Sequence, residues 1–362
     1  MTEFLVIGLT VAICFFLGKS LRNYRQLPEL PVAHVSERLS VSVIIPARNE
    51  AHQIERAVRS FAGSPVTVVD DDSEDGTAQR AEHAGARVIA APPVGGRAKG
   101  KPNACAAGAR IADTRWLLFV DADTWYEPSF VASLIFYAES NQLQMVTAFL
   151  RQHCVTLAEK ILLPYAFALY FTGVSAGRVN DSKSPEALAN GQCMLFERTA
   201  YESIGGHEAV VDSVIEDVAL AQLAKRYALR MRVIRAERLG HVRMYDGLGA
   251  IWRGFEKNSF RFLLVNPWTG VQVVLASILL TSWAPVLFLA YLDLPPSHRW
   301  PLLFIQTPAA FLLVMPFVLL APWYGRRFLL APAGVYLFQL IALNGMFKTL
   351  TGRASRWKGR RV

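Results

Sequence analysis

Two aspartates, Asp121 and Asp123, stand directly after the apolar run WLLFV and are separated by a single alanine. Carboxylates at positions i and i+2 can share one hard cation, Mg²⁺ or Mn²⁺, and leave coordination positions for the oxygens of a diphosphate. Such a cation would offset the charge that develops on a leaving nucleoside diphosphate. The motif alone is not specific, because two acidic residues in a loop are usually only hydrated, so other residues must support it.

A second acidic pair, Asp70 and Asp71, follows another apolar run, VTVV. Carboxylates only accept hydrogen bonds, so they suit the N–H of a uracil-type base and the hydroxyls of a ribose. The alternative is a structural role, in which Ser73 or Asp75 caps the helix expected over 77–84. The two interpretations are compatible, with Asp75 as the cap and Asp71 as the binding residue.

Lys101 ends the basic, glycine-rich stretch VGGRAKGK (94–101), directly before a predicted helix. A lysine at a helix N-terminus directs positive charge toward a phosphate. We therefore expect this loop to order around a bound nucleotide, although the stretch alone is also typical of a surface loop.

Glu216 and Asp217 begin the helical pattern EDVALAQLAKR. The helix dipole favours acidic residues in a first turn, so this position alone requires no function. The functional alternative is a general base that removes the proton from an acceptor hydroxyl.

These groups stand at the ends of predicted strands, in a region where strands and helices alternate. Apolar, β-branched strands of this kind are typical of a parallel sheet with helices on both faces. Ligands of such sheets bind at the carboxyl ends of the strands, where the acidic residues lie. The predicted strands cover 41–50, 65–77, 87–93 and 116–124, and the helices between them cover 51–64, 78–86 and 104–114.

Long apolar segments lie at both ends of the chain. Residues 3–18 are followed, not preceded, by the charges of Lys19 and Arg22, which predicts an uncleaved anchor with the next domain in the cytoplasm. Three further stretches, 271–292, 302–321 and 328–348, have the length of membrane-spanning helices. Three spans would leave the basic tail outside, against the preference of positive charge for the inside, so the last stretch is the candidate for not crossing.

The apolar stretch 155–178 is interrupted by Glu159, Lys160 and Pro164. A span here would place the two halves of the α/β domain on opposite sides of the membrane, so we favour an amphipathic helix on the membrane surface. The predicted fold class is α/β, a Rossmann-like, mostly parallel sheet with transmembrane helices at the N-terminus and the C-terminus. The predicted organisation is an anchor (1–25), a linker (26–39), the α/β domain (40–265), membrane helices (266–350) and a basic tail (351–362).

The composition agrees with a soluble domain joined to membrane segments. Of the 362 residues, 52% are apolar types and 19% are charged, which is unlike either a soluble protein or a pure membrane bundle. The net charge of +9 is concentrated beside the apolar segments, which indicates a multi-pass protein of the cytoplasmic membrane in contact with anionic lipids, not nucleic-acid binding. The four cysteines show no metal-ligand spacing and are interpreted as reduced.

Several motifs occur in one order: PARNE, VVDDDSEDGT, GKPNA, DAD, NGQCMLF, GGHE and EDVALA. This series, over residues 40–260, resembles the family 2 glycosyltransferases of the GT-A fold. The resemblance implies an inverting transfer of a sugar from a nucleotide-sugar, commonly a uridine diphosphate sugar. The QxxRW motif of polymer-forming synthases is not in the sequence. The apolar segments at both ends resemble the lipid-modifying branch, which includes the 4,4'-diaponeurosporenoate (carotenoid-acid) and hopanoid-associated glycosyltransferases.

By position, the resemblance implies roles for individual residues. The nucleotide would be bound by Pro46, Arg48, Glu50, Asp70, Asp71, Lys101 and Asp121. Asp121 and Asp123 would hold the metal, and Asp217, with Glu216 beside it, would be the catalytic base. Gly191 and Gln192 would line the sugar and acceptor region, with Gly205, Gly206 and His207 near it. Arg253 and Lys257 are candidates for contacts with the diphosphate. Asp72 departs from the family pattern, which usually has glycine at this position.

The expected acceptor is a membrane lipid or an isoprenoid of the carotenoid type, because a lipid acceptor needs the active site near the bilayer. Three other functions stay open. A processive polysaccharide synthase would make a polymer, a nucleotidyltransferase would release pyrophosphate, and a membrane scaffold or transporter with a degenerate domain would bind nucleotide without turnover. His241 is interpreted as a packing or surface residue.

Overall fold

The structure is a computed structural model, and it describes residues 2–33, 39–93, 100–213, 215–265, 267–293, 308–351, 356–357 and 360–361. The chain folds into two compact units, each assembled from segments that are separate in sequence. The sheet unit comprises Leu27–His153 and Ala176–Met244, and the helical unit comprises Met1–Gln26, Cys154–Ser175 and Tyr245–Val362. Most of the predicted glycine-rich loop (94–99) and the start of one predicted span (302–307) lie outside the described residues.

A seven-stranded sheet in the order β3-β2-β1-β4-β8-β6-β9 forms the centre of the sheet unit. Its strands pair in parallel except β8, which is antiparallel to both β4 and β6. The strands of the described chain, in this sheet and in two smaller ones, are β1 (Val41–Ala47), β2 (Val66–Asp70), β3 (Arg87–Ala90), β4 (Trp116–Val120), β5 (Thr124–Tyr126), β6 (Met145–Phe149), β7 (Arg151–Gln152), β8 (Cys193–Glu197), β9 (Met231–Arg235), β10 (Gly240–Val242), β11 (Arg356–Trp357) and β12 (Arg360–Arg361).

The helices of the sheet unit alternate with these strands, so the predicted α/β class is confirmed. The α-helices of the chain are α1 (Thr2–Gln26), α2 (Ile54–Arg59), α3 (Thr77–His83), α4 (Lys101–Ile111), α5 (Phe130–Ser140), α6 (Leu157–Gly173), α7 (Ala176–Asn180), α8 (Arg198–Ser203), α9 (Glu216–Arg226), α10 (Leu248–Val265), α11 (Pro267–Asp293), α12 (Pro308–Tyr324) and α13 (Ala331–Leu350). Two 3₁₀ segments, Gly206–Val210 and Gly325–Leu330, complete the described helical structure.

Two features of the sheet unit set the position of the later site. Every residue of β4 is buried, as expected for a central strand covered on both faces, and the chain leaves this strand at Asp121. Helix α4 lies very close to β1, because a Cβ at Gly108 would stand 2.5 Å from Cγ2 of Ile44. This close packing holds the first residue of the helix, Lys101, relative to the sheet.

A second, three-stranded sheet in the order β5-β10-β7 follows directly after Asp123. Strand β5 is antiparallel to β10, with Thr124 opposite Val242. The next residue after β10, Arg243, donates its backbone N–H to the carbonyl of Asp123 at 3.1 Å. The small sheet therefore fixes the end of the acidic turn that leads into β5.

The helical unit contains three segments long and apolar enough to cross a membrane, within the part of the chain that is described: Phe4–Gln26, Gly270–Asp293 and Met315–Lys348. The last of these joins α12 to α13 through a kink at Arg327. The stretch 155–178 contains α6 and ends within α7, which belongs to the sheet unit, and α6 packs against α1, α11, α12 and α13. Ser20 of α1 donates its hydroxyl to the carbonyl of Ala168 at 2.6 Å. The prediction that this stretch lies on a membrane surface stays a prediction.

Candidate functional site

Lys101 connects three separate elements of the sheet unit. Its ammonium lies 2.8 Å from Oδ1 of Asp121, which follows β4, and 3.0 Å from Oε1 of Glu216, at the start of α9. It also donates to the carbonyl of Gly191 at 3.1 Å, in the segment before β8. One cation therefore joins the predicted metal motif to the predicted catalytic pair.

Asp217 faces the same segment from the first turn of α9. Its Oδ2 accepts the backbone N–H of Gly191 at 2.8 Å, and its Oδ1 accepts the N–H of Val218 at 2.8 Å. A carboxylate has about four lone-pair positions, so Asp217 retains the capacity to accept a proton from a further hydroxyl. The helix N-terminus adds a favourable dipole for its negative charge.

Burial and neighbouring charges shift the pKa values of the ionisable side chains in this cluster in different directions. Burial raises the pKa of Asp217 to about 6, and the neighbouring charge of Glu216 adds to the rise. Burial alone would also raise the pKa of Glu216, but the ammonium of Lys101 holds it below its usual value. Burial alone would lower the pKa of Lys101, but Asp121 and Glu216 raise it well above its usual value. Asp217 is therefore the carboxylate suited to take up a proton near neutral pH, and Lys101 stays charged.

Gly191 stands where no other residue fits without a shift. A Cβ at this position would lie 2.6 Å from Nζ of Lys101 and 3.3 Å from Oδ2 of Asp217. The backbone of Gly191 thus contacts the ammonium through its carbonyl and the predicted base through its N–H.

Asp121 and Asp123 lie on one tight turn between β4 and β5. The carbonyl of Asp121 accepts the N–H and the hydroxyl of Thr124, at 3.3 and 2.7 Å. Among the described residues, no group of three or more His, Cys, Asp and Glu side chains is arranged to hold a metal by itself. Two carboxylates fit a hard divalent cation whose remaining ligands come from a bound diphosphate, and they do not fit a permanently enclosed metal.

The predicted nucleotide-binding residues gather at the adjacent ends of β1 and β2. These strands are parallel, with Ala47 opposite Asp70 and Pro46 opposite Val69. Arg48 donates Nη1 to the carbonyl of Asp71 at 2.5 Å. Oδ1 of Asp70 is buried and has no hydrogen-bond partner among the described residues, so it is an acceptor available to a ligand.

Asp75 joins the loops that follow these two strands. It accepts the backbone N–H of Ala51 at 3.0 Å and the N–H of Thr77, the first residue of α3, at 3.1 Å. The N–H of Glu50 in turn donates to the hydroxyl of Thr77 at 2.8 Å. Burial alone would raise the pKa of Asp75, but the hydrogen bonds from Thr77 and Ala51 lower it. The structural interpretation of Asp75 therefore leaves open a binding role for Asp71, which is 8% exposed and stays a prediction as a binding residue.

Gln192 and His207 occupy different environments. Gln192 is 6% exposed, and its carbonyl accepts the hydroxyl of Tyr126 at 3.0 Å and the N–H of Asp121 at 3.4 Å. His207 is 1% exposed, and its Nδ1 lies 2.9 Å from the hydroxyl of Tyr201. Burial lowers the pKa of His207 to about 3, so the ring is neutral.

The described contacts of His207 are thus with protein groups. Its ring packs on Phe119 at a centroid distance of 4.6 Å, and Gly206 lies so close to Tyr201 that a Cβ would stand 2.4 Å from that ring. These contacts hold His207 in the protein interior, and the predicted sugar-binding role of Gly206 and His207 stays a prediction. The preceding Gly205 adopts a left-handed φ of 77° at the start of this turn.

Arg253 and Lys257 belong to α10 of the helical unit. The side chain of Arg253 is exposed, and that of Lys257 lies outside the described part of the chain. Their predicted contacts with a diphosphate therefore stay predictions.

Sequence reasoning missed three residues that position the site: Tyr126, Tyr201 and Arg243. Tyr126 had a readable signal in the sequence, because it alternates with Ala122 and Thr124 as residues on one face of a strand do, and the structure has all three buried. The backbone bond from Arg243 had no signal, since it depends on the pairing of β5 with β10. His241, interpreted as a packing residue, bonds Glu127 at 3.1 Å and stacks on Trp125.

Comparison with known proteins finds similarity to glycosyltransferases. Residues 42–205 match the profile of Glycosyl transferase family 2. The 4,4'-diaponeurosporenoate glycosyltransferase of Staphylococcus haemolyticus (strain JCSC1435) is 26% identical over 227 residues, which is 60% of this chain and 60% of that protein. The protein of the same name from Staphylococcus aureus (strain USA300) is 27% identical over 229 residues, again 60% of each. The chain thus matches only part of the length of these relatives.

Among solved structures, the mannosyltransferase PcManGT from Pyrobaculum calidifontis, in complex with GDP-Man and Mn²⁺, has a TM-score of 0.58 at 19% identity. The match covers 98% of this chain and 100% of that one. At this identity the likeness shows the fold, which is that of the GT-A glycosyltransferases expected from the motif order.

Proposed function

We propose that the chain, whose residues 42–205 match the profile of Glycosyl transferase family 2, transfers a sugar from a nucleotide-sugar to a hydroxyl of a membrane lipid or carotenoid-type isoprenoid. The transfer inverts the anomeric configuration, and Asp217 is the general base. The catalytic unit faces the cytoplasm, and the apolar helices hold the protein in the cytoplasmic membrane. The names of the relatives and the three apolar segments support the lipid acceptor and the membrane.

One observation carries this proposal. Lys101 lies within 3.0 Å of both Asp121 and Glu216, so the end of β4 and the start of α9 meet at one cation. The transfer of a group from a diphosphate requires that the negative charge developing on the leaving group is stabilised and that a base removes the proton of the acceptor. Here the two requirements are met by neighbouring side chains of one cluster.

The chemistry of the chain's own residues follows from their contacts. Asp217 is held by the N–H groups of Gly191 and Val218 and takes the proton from the acceptor hydroxyl. The hydroxyl oxygen then forms its bond to the anomeric carbon while the bond from that carbon to the diphosphate breaks. Because attack comes from the face opposite the leaving group, a single base is sufficient and no covalent sugar intermediate is needed.

The leaving nucleoside diphosphate departs beside Asp121 and Asp123. A Mg²⁺ or Mn²⁺ bound by these two carboxylates would supply positive charge to the diphosphate oxygens. The presence of Mn²⁺ with GDP-Man in PcManGT supports this assignment. Asp70 and Asp71 accept hydrogen bonds from the base and ribose, and the motif resemblance favours a uridine diphosphate sugar as the donor.

Sugar transfer to membrane lipids tests the proposal. The full chain in lipid nanodiscs is given a panel of nucleotide-sugars, Mn²⁺ or Mg²⁺ and a membrane lipid extract, and the products are weighed by mass spectrometry. We expect products that carry one or two sugars on a lipid. In Asp217→Asn, kcat should fall by at least about 100-fold, and in Asp123→Asn the activity should also be lost. Asp113→Asn is the matched control, because this exposed aspartate lies in the same unit and outside the cluster.

Other products would identify the rival functions. A polymer indicates a processive synthase, released pyrophosphate indicates a nucleotidyltransferase, and nucleotide binding without turnover indicates a scaffold. Full activity in both Asp217→Asn and Asp123→Asn would show that the assignment of base and metal site is wrong.

A further inference from the structure

The ammonium of Lys101 is saturated by protein oxygens. A lysine side chain has three N–H donors and no acceptor. Three oxygens from three separate elements surround Nζ, at 2.8 Å for Asp121, 3.0 Å for Glu216 and 3.1 Å for Gly191. In this arrangement Lys101 has no N–H left for a phosphate oxygen, although its place at the start of α4 suits phosphate binding.

One of these oxygens is also a proposed metal ligand. Oδ1 of Asp121 lies against Nζ of Lys101, so an ammonium and a divalent cation are both attracted to the same carboxylate. Two positive charges cannot both lie against one carboxylate oxygen without strong repulsion. We propose that Lys101 is an internal counter-ion that competes with the divalent cation for Asp121, so that the metal binds tightly only together with the diphosphate of the nucleotide-sugar.

The diphosphate resolves the competition because it provides for both cations. Its oxygens give the metal additional ligands, and they give Lys101 new acceptors at the N-terminus of α4. Metal and nucleotide therefore strengthen each other's binding, and by thermodynamic linkage the strengthening is equal in both directions. This inference rests on the proposed function, since it assumes that Asp121 and Asp123 form the metal site.

The surroundings of Lys101 permit the exchange. Its side chain is 30% exposed, compared with 14% for Glu216, so the side chain of Lys101 is not sealed into the core. Gly191 places no side chain beside Nζ, where a Cβ would lie at 2.6 Å. Lys101 can thus leave Asp121 while its helix stays packed on β1.

A purely structural ion pair is the competing explanation, and the two differ in their effect on metal affinity. If Lys101 only stabilises the fold, its removal leaves the intrinsic Mn²⁺ affinity of the acidic turn unchanged. If Lys101 competes, its removal raises that affinity and reduces the advantage that a nucleotide gives. Activity is not needed to distinguish them.

Mn²⁺ binding measured by electron paramagnetic resonance tests the inference on the full chain in nanodiscs. Lys101→Met keeps the length of the side chain and removes its charge, and Lys101→Arg keeps the charge. Lys183→Met is the matched control, because it removes one exposed lysine from the same unit. Each protein is titrated with Mn²⁺ alone and again with uridine or guanosine diphosphate.

We expect Lys101→Met to bind Mn²⁺ alone about ten-fold more tightly than the wild type, the scale on which one nearby charge shifts an ionic equilibrium. The gain in Mn²⁺ affinity on adding a nucleoside diphosphate should shrink in Lys101→Met and stay at the wild-type level in Lys183→Met. Lys101→Arg should resemble the wild type, since the charge and not the packing is responsible.

Unchanged or weaker Mn²⁺ binding by Lys101→Met, with an unchanged gain from the diphosphate, would overturn the inference. Asp123→Asn separates this failure from a failure of the proposed function. If Asp123→Asn leaves Mn²⁺ binding intact, the cation binds elsewhere, and the proposed metal site is overturned together with the competition.

Discussion

Adding one methyl group at Gly191 should reduce activity strongly and stability hardly at all. The new Cβ of Gly191→Ala would lie 2.6 Å from Nζ of Lys101, whereas carbon atoms rest at about 3.5 Å or more from a neighbour. The ammonium must therefore retreat by roughly 1 Å, and displacements of about 1 Å near reacting groups can reduce rates about 100-fold. Oδ2 of Asp217, at 3.3 Å, has to yield by only a few tenths of an ångström.

The cost to the fold is small for two reasons. Nζ is the end of a flexible side chain, so the movement does not propagate into the core, and Gly191 is not among the glycines with positive φ. A Gly→Ala change at a compatible φ also restricts the unfolded chain, which favours the folded state by about 0.4–1 kcal/mol. The expected loss of about 100-fold in kcat/KM, equivalent to about 2.7 kcal/mol of transition-state stabilisation, should thus accompany a nearly unchanged Tm.

Steady-state kinetics and thermal unfolding in the same nanodiscs check this prediction. Gly177→Ala is the matched control, because its Cβ would meet no atom within 4 Å. Wild-type kcat/KM in Gly191→Ala would refute the reasoning about Lys101 and Asp217. A loss of stability as large as the loss of activity would also refute it, since the structure places a movable side chain and no backbone against the new methyl group.

Three further predictions concern protonation, a buried hydroxyl and a helix cap. Because burial raises the pKa of Asp217 to about 6, kcat should rise with pH up to about 6 and level off above it, and a flat pH–rate profile would contradict the role of base. The same shift stabilises the fold at low pH and is lost as pH rises through about 6, so Asp217→Asn should unfold at no lower temperature than the wild type near pH 8. Tyr201→Phe removes the acceptor of the His207 N–H and should lower stability by about 1–3 kcal/mol without changing KM, and an unchanged Tm would count against it. Thr156→Ala removes the side chain that accepts the N–H of Glu159 at the start of α6 and should cost about 1 kcal/mol in thermal unfolding, with Thr156→Ser as the control that retains the cap.

Local patterns predicted the elements that carry the site, but they could not predict the direction of every strand. Runs such as VSVII and WLLFV are apolar on both faces, which is typical of central strands, and the structure has β1 and β4 there as adjacent parallel strands. The run CMLFE, β8, has the same character but lies antiparallel between β4 and β6. Side chains alternate along a strand in either direction, so composition carries no information about its orientation.

The contacts within the cluster could not be predicted because they close over long sequence separations. Lys101 and Gly191 are 90 positions apart, and their hydrogen bond forms only once α4 has packed on β1 and β8 has paired with β4. The spacing of Asp121 and Asp123 suggested a cation, yet nothing in the sequence indicated that a lysine of the chain would lie against one of them. His207 and Tyr201 are only six positions apart, but the burial that keeps the ring neutral depends on packing that the sequence does not show.

Asp72 stands where the motif resemblance leads one to expect glycine, and its backbone conformation explains how an aspartate is accommodated there. Its φ of 66° lies in the left-handed region, where glycine is favoured and where aspartate is among the few other residues tolerated. Its carboxylate lies 3.5 Å from Nη1 of Arg48, but the side chain is 77% exposed, so this ion pair contributes at most about 1 kcal/mol. That is about the cost of holding a non-glycine residue in this conformation, so the two effects nearly cancel. Asp72 therefore adds negative charge beside Arg48 and adopts the left-handed conformation that glycine would adopt in the same turn.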